Sequence, residues 1–97
     1  MKLFRGFEKE YQSRHASIWP ELKSLLHSKG IHDYSIFLDE SSVDLFAVFK
    51  IPDTLKLADL SQEPVMKKWW KYMKGIMETN DDDSPVTMPL KEVFYLE

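Results

Sequence analysis

Between residues 8 and 29, apolar side chains recur at three- and four-residue intervals, with Tyr11, Ile18, Leu22 and Leu25 on one stripe and His15 set into it. Residues so spaced stand above one another on a helix, so the segment is predicted helical, and Gly30 is its stop signal. Pro20 lies inside it and predicts a kink, or a second helix with Pro20 at its first position and Ser17 as a local cap. Residues 31–38 and 43–51 are rich in β-branched and aromatic side chains and read as strands joined by the turn Asp39-Glu40-Ser41-Ser42. Pro52 ends the second strand. Residues 54–60 suggest a short helix and residues 64–77 a longer one. Val65, Met66, Trp69, Trp70, Met73, Ile76 and Met77 share one face of that longer helix, with Lys67, Lys68, Lys71 and Lys74 outside it. A polar loop carrying Asp81-Asp82-Asp83 follows, and residues 92–96 read as a last strand. Met1-Lys2-Leu3-Phe4 is a strand or its remnant.

The order β-α-β-β-α-β predicts an α+β protein with a ferredoxin-like, split βαβ antiparallel sheet and its helices on one face. In the second hairpin strand Leu45, Ala47 and Phe49 point one way and Phe46 and Val48 the other; at the C-terminus Val93 and Tyr95 oppose Phe94 and Leu96. A sheet covered on one face alternates apolar with polar, and here both faces are apolar. Two helical segments cover one face. A second copy of the chain is expected over the other, which predicts a homodimer, although a ligand pocket floor would explain part of the same pattern.

Ninety-seven residues make one domain spanning residues 1–97, and a net charge of −3 with 43% hydrophobic residues describes an ordinary folded protein. The acidic balance argues against nucleic acid or anionic membrane as partners. Without cysteine there are no disulfides, no thiol catalysis and no cysteine metal site. No apolar run suits a signal peptide or a membrane span, so a cytoplasmic location is expected.

His15 is the first candidate for chemistry. A lone histidine on an apolar stripe is commonly a core residue held by a hydrogen bond. Here Tyr11 lies one turn before it, Trp19 one turn after, and the pair Trp69-Trp70 sits on the other main helix. An imidazole walled by aromatic rings suits proton transfer on an uncharged ligand. Either indole could simply pack in the core; the functional alternative is stacking on the C–H face of a sugar. Tyr34, on the first hairpin strand, is either a half-buried strand residue or a hydroxyl for that site. The three aspartates read as a solvated turn, the lysines around Trp69-Trp70 as a solvent face, and His27 and His32 as surface residues.

Together, Tyr11-x3-His15-x2-Ile18-Trp19-Pro20-Glu21-Leu22, His32-Asp33-Tyr34-Ser35-Ile36-Phe37-Leu38, Trp69-Trp70-Lys71-Tyr72-Met73, Ser84-Pro85 and Glu92-Val93-Phe94-Tyr95-Leu96 closely resemble the L-rhamnose mutarotase family over nearly the whole chain. The resemblance implies a homodimeric α+β barrel that interconverts the α and β anomers of L-rhamnopyranose without cofactor or metal. It implies His15 as catalytic proton donor, with Tyr11, Tyr34, Trp69 and Trp70 contacting the sugar. Members of the family carry several more residues before the segment matching Met1-Lys2-Leu3, so a shortened first strand is expected here. Two other functions compete. A cofactor-free monooxygenase-like dimeric barrel enzyme would consume oxygen with a quinol-like substrate. A non-catalytic sugar-binding or dimerisation module would be stabilised by ligand without changing anomer exchange. Fold alone does not separate the three; the Tyr-His and Trp-Trp set favours the mutarotase.

Overall fold

Pro20 divides the first helical segment in two. In the computed structural model, which describes residues 1–97, α1 spans Glu8–Ala16 and α2 spans Pro20–Ser28. Trp19 takes the extended backbone (ψ 133°) that a residue before proline prefers, and Pro20 then opens α2. Ser17 does not cap α2 as expected. It closes α1 instead, its N–H donating to the Ser13 carbonyl at 3.1 Å, because the break falls two residues later.

β1 (His32–Asp39) and β2 (Asp44–Lys50) form the antiparallel hairpin, with Leu38 opposite Leu45 and Phe37 opposite Phe46. The turn between them forms where expected. One Asp39 carboxylate oxygen accepts from the Ser41 N–H and hydroxyl at 3.0 and 2.7 Å, the side-chain geometry that makes Asp a turn former. The short helix α3 covers Lys56–Leu60 and the longer α4 covers Pro64–Met73. The four lysines of α4 and its C-terminal flank are exposed, as the spacing predicts.

Two expectations need correction at the ends of the sheet. Helix α4 stops at Met73, not Met77, because Leu3 draws the following segment into sheet-like pairing. The Phe4 N–H donates to the Ile76 carbonyl at 2.9 Å and the Glu78 N–H to the Lys2 carbonyl at 2.8 Å. On its other side Leu3 donates to the Val43 carbonyl at 2.9 Å. The first strand is thus two bridging residues wedged between the Met77 segment and β2. The last strand, residues 92–96, does not form. A strand needs a neighbour for its main-chain groups, and this segment has none within the chain; Val93 and Leu96 are 87% and 80% exposed.

The core lies on the inner face of the hairpin. Leu3, Leu22, Leu45, Met66, Trp69 and Met73 are buried there, with Ile36, Leu38 and Phe49 packed at its margin. Phe37, Phe46 and Val48 on the outer face remain exposed. The chain is therefore α+β, with an antiparallel hairpin backed by helices on one face. No helix is long and apolar enough to cross a membrane. At the α2–β1 junction Gly30 has φ +80°, and a Cβ there would meet Pro52 Cδ at 2.8 Å, so the helix stop is also a close approach.

Candidate active site

A cavity of about 740 Å³ lies between α1, α2 and the inner face of the hairpin, within the size range of small-ligand sites. Tyr11 and His15 of α1 form one wall, and Tyr34 of β1 stands on another. The helix supplies the first pair directly: four residues place the two rings over one another, centroids 4.3 Å apart.

Tyr34 reaches the cavity by alternation, on the face of Ile36 and Leu38, beside an irregularity in the hairpin. Between the pairs His32–Lys50 and Ser35–Val48, two residues of β1, Asp33 and Tyr34, stand opposite Phe49 alone. Asp33 absorbs the extra residue with φ +51°, a conformation aspartate tolerates better than most side chains. Tyr34 lies on the inner face, stacked on Phe49 with ring centroids 5.1 Å apart and planes 9° from parallel.

Electrostatics distinguish the three groups. The His15 Nδ1 lies 3.0 Å from the Tyr11 carbonyl oxygen. A carbonyl only accepts, so Nδ1 carries the hydrogen and Nε2 is left with a lone pair. Burial lowers the pKa of the imidazole from its ordinary 6.5, and the bond to the Tyr11 carbonyl opposes this to a smaller extent. Burial raises the pKa of Tyr11, with the nearby Tyr34 phenol adding to the shift; burial alone raises that of Tyr34, although as a residue Tyr34 is 44% exposed. Both phenols therefore stay protonated at neutral pH. Tyr11 is 7% exposed and its hydroxyl makes no hydrogen bond within the chain, yet no buried side-chain polar atom is left unpaired. Its oxygen must therefore open onto the cavity.

The tryptophans separate, as neighbours 100° apart on a helix should. Trp69 is buried and meets the His15 ring edge-on at 5.4 Å, behind the cavity wall, with Trp19 edge-on to it at 5.1 Å. Trp70 is half-buried against the core and shares in none of these ring contacts. Neither indole lines the cavity, so Tyr11, His15 and Tyr34 are brought together, Trp69 stands behind them and Trp70 apart. Sequence reasoning set aside His27 and His32, and both line the cavity mouth, as does Gln12. Gln12 was legible in principle: it precedes His15 by three residues and so shares its side of the helix.

The L-rhamnose mutarotase family model matches residues 1–96. A relative from Flavobacterium johnsoniae named L-rhamnose mutarotase is 55% identical over 97 residues, covering 100% of this chain and 91% of its own length. One of the same name from Phocaeicola vulgatus is 50% identical, covering 100% and 93%. The crystal structure of an L-rhamnose mutarotase from Formosa agariphila superposes with a TM-score of 0.93 at 47% identity, over 100% of this chain and 93% of that one.

Proposed function

The chain belongs to the L-rhamnose mutarotase family, and we propose that it interconverts the anomers of L-rhamnopyranose in the cavity walled by Tyr11, His15 and Tyr34. The single observation that carries the chemistry is the bond from His15 Nδ1 to the Tyr11 carbonyl, which leaves Nε2 as a basic nitrogen at the cavity wall. Mutarotation moves one proton from the anomeric hydroxyl and one onto the ring oxygen. The C1–O5 bond breaks, C1=O1 forms, and the open aldehyde recloses on its other face. Both oxygens are bonded to the same carbon, so one nitrogen can serve them in turn. His15 takes the O1 proton as a base and, once protonated, gives it to the ring oxygen as the donor the family resemblance implies. Reclosure reverses the steps, and the histidine ends as it began. The phenols of Tyr11 and Tyr34, held protonated, donate hydrogen bonds to sugar oxygens. Trp69 supports the imidazole edge from behind the cavity wall, and the apolar side of the 6-deoxy sugar meets Ile18, Ile36 and Leu38, which line the cavity.

Saturation-transfer NMR on L-rhamnose tests the activity: wild-type protein accelerates anomer exchange, and a rate equal to buffer alone would reject the reading. The pH dependence tests the order of proton transfer. A base that must be neutral before substrate binds gives kcat/KM that rises with pH and levels off above an apparent pKa below the ordinary 6.5 of histidine. Activity that falls as pH rises through that range would instead make the charged imidazole the starting form.

The same reading includes a dimeric barrel built on a ferredoxin-like sheet. Its support is the bridge order, which runs from the Met77 segment to Leu3, then β2, then β1. Further support comes from the exposed Phe37, Phe46 and Val48 on the outer face and the exposed apolar tail Val93-Phe94-Tyr95-Leu96, large apolar side chains of the kind that association covers. A second copy covers them. Sedimentation equilibrium is expected to give twice the chain mass for wild type and the single-chain mass for Phe46→Asp. A monomeric wild type would remove the dimer from this reading.

A further inference from the structure

Arg14 precedes His15 on α1, so its side chain leaves the helix about 100° round from the imidazole. It crosses to α4, makes two contacts with Tyr72 there and is braced by a third to Glu10 on its own helix. Nη1 donates to the Tyr72 carbonyl oxygen at 2.6 Å, Nε donates to Glu10 Oε1 at 2.8 Å, and the guanidinium carbon stands 4.3 Å over the Tyr72 ring. The side chain is only 18% exposed. The carbonyl it holds lies in the last turn of α4, where helical carbonyls have no partner of their own.

The contact matters because of what Tyr72 touches. Its ring packs on Trp69 at 5.6 Å and on Trp19 at 5.4 Å, and Trp69 meets His15 edge-on at 5.4 Å. Arg14, Tyr72, Trp69 and His15 thus form a closed circuit that leaves α1 at one residue and returns at the next. The backbones of α1 and α4 make little direct contact, so these side chains set the distance between the helices. We infer that Arg14 is a positioning residue for the proposed reaction: its hold on the end of α4 keeps Trp69 against His15 and so aims the imidazole into the cavity. Lysine keeps the charge but has neither the planar face that stacks on Tyr72 nor the rigid fork that serves Tyr72 and Glu10 together.

The inference rests on the mutarotase reading for its kinetic consequence, but not for its structural one. Arg14→Met is expected to lower kcat for L-rhamnose anomer exchange about tenfold while leaving KM within about twofold, since a misaimed group costs rate before it costs binding. Arg14→Lys is expected to recover part of the loss. In the free protein, the His15 ring-proton signals, displaced by the flanking Tyr11 and Trp69 rings, are expected to move towards ordinary histidine values in both variants. Glu10→Gln, which leaves the Tyr72 contact intact, is expected to keep wild-type activity; a loss there equal to that of Arg14→Met would overturn the role of the α4 contact. A lower melting temperature with unchanged kcat and unmoved His15 signals would make Arg14 merely structural and sink the inference. Should Arg14→Met fail to fold, Arg14→Lys carries the same comparison. Should wild type fail to accelerate exchange, the functional reading falls, and the ring signals still decide the placement of His15.

Discussion

Replacing His15 by alanine is expected to lower kcat/KM for L-rhamnose anomer exchange by about 10²–10⁴-fold, the range that one positioned proton carrier supplies. The expectation follows from the scarcity of alternatives. Tyr11 and Tyr34 have pKa values raised by burial and stay protonated, so neither accepts a proton near neutrality. The charged residues around the cavity, Glu8, Lys23, Asp33 and Glu40, make no ion pair with His15, and His27 and His32 sit at the mouth. Alanine is the best helix former and His15 is only half-buried, so α1 should persist. The measurement is saturation transfer between the two anomeric signals at several enzyme concentrations, with circular dichroism to establish that the variant is folded. Full activity in the alanine variant would remove His15 from the chemistry. The variant's residual rate should lack the histidine-dependent rise with pH that the wild-type rate shows, so the fold-loss should shrink at acid pH.

Leu3→Ala is expected to destabilise the protein by about 2–5 kcal/mol, the usual cost of emptying a fully buried leucine site. Leu3 is 2% exposed and stands where the Met77 segment, β2 and the cavity floor meet. Its main-chain bond to the Val43 carbonyl survives the substitution, so the loss isolates the side chain. Domains of this size are commonly stable by only ~5–15 kcal/mol, which makes this a large fraction of the whole. Urea unfolding followed by tryptophan fluorescence measures it. A change under about 1 kcal/mol would mean that the two-residue strand is a loose end and not part of the core.

Most of the framework was legible because local rules suffice for it. Helical spacing around Tyr11 and His15, the proline that splits the helix, the Asx turn at Asp39 and the solvated lysine face of α4 each depend on residues within a few positions of one another. Alternation made it legible that Tyr34 shares a sheet face with Ile36 and Leu38, and that face lines the cavity. What alternation does not foretell is the irregularity beside it, where Asp33 takes a left-handed conformation and shifts the pairing of His32. Neighbours on a helix point about 100° apart, so spacing predicts one indole of Trp69-Trp70 in the core and the other at a cavity or sheet edge. It does not say which; in the fold the first packs against His15 and neither lines the cavity. The expected last strand failed for a different reason: its apolar pattern is real, but the pattern records a surface to be covered, not the chain that covers it.

Sequence by itself determined the inventory: an α+β chain, a Tyr-His pair one helical turn apart, an aromatic set, two-faced strands, and a motif order that marks the family. Those are properties of spacing and residue type, which local sterics and solvation translate directly into structure. Tertiary structure alone decided which nitrogen of His15 is free, that the Tyr11 hydroxyl opens onto a cavity, that Trp69 stands behind the imidazole, and that Arg14 ties the two helices carrying them. Each of these depends on distances of a few ångströms between groups as many as 58 residues apart in the chain. Packing of the whole core sets such distances, and no local pattern encodes them.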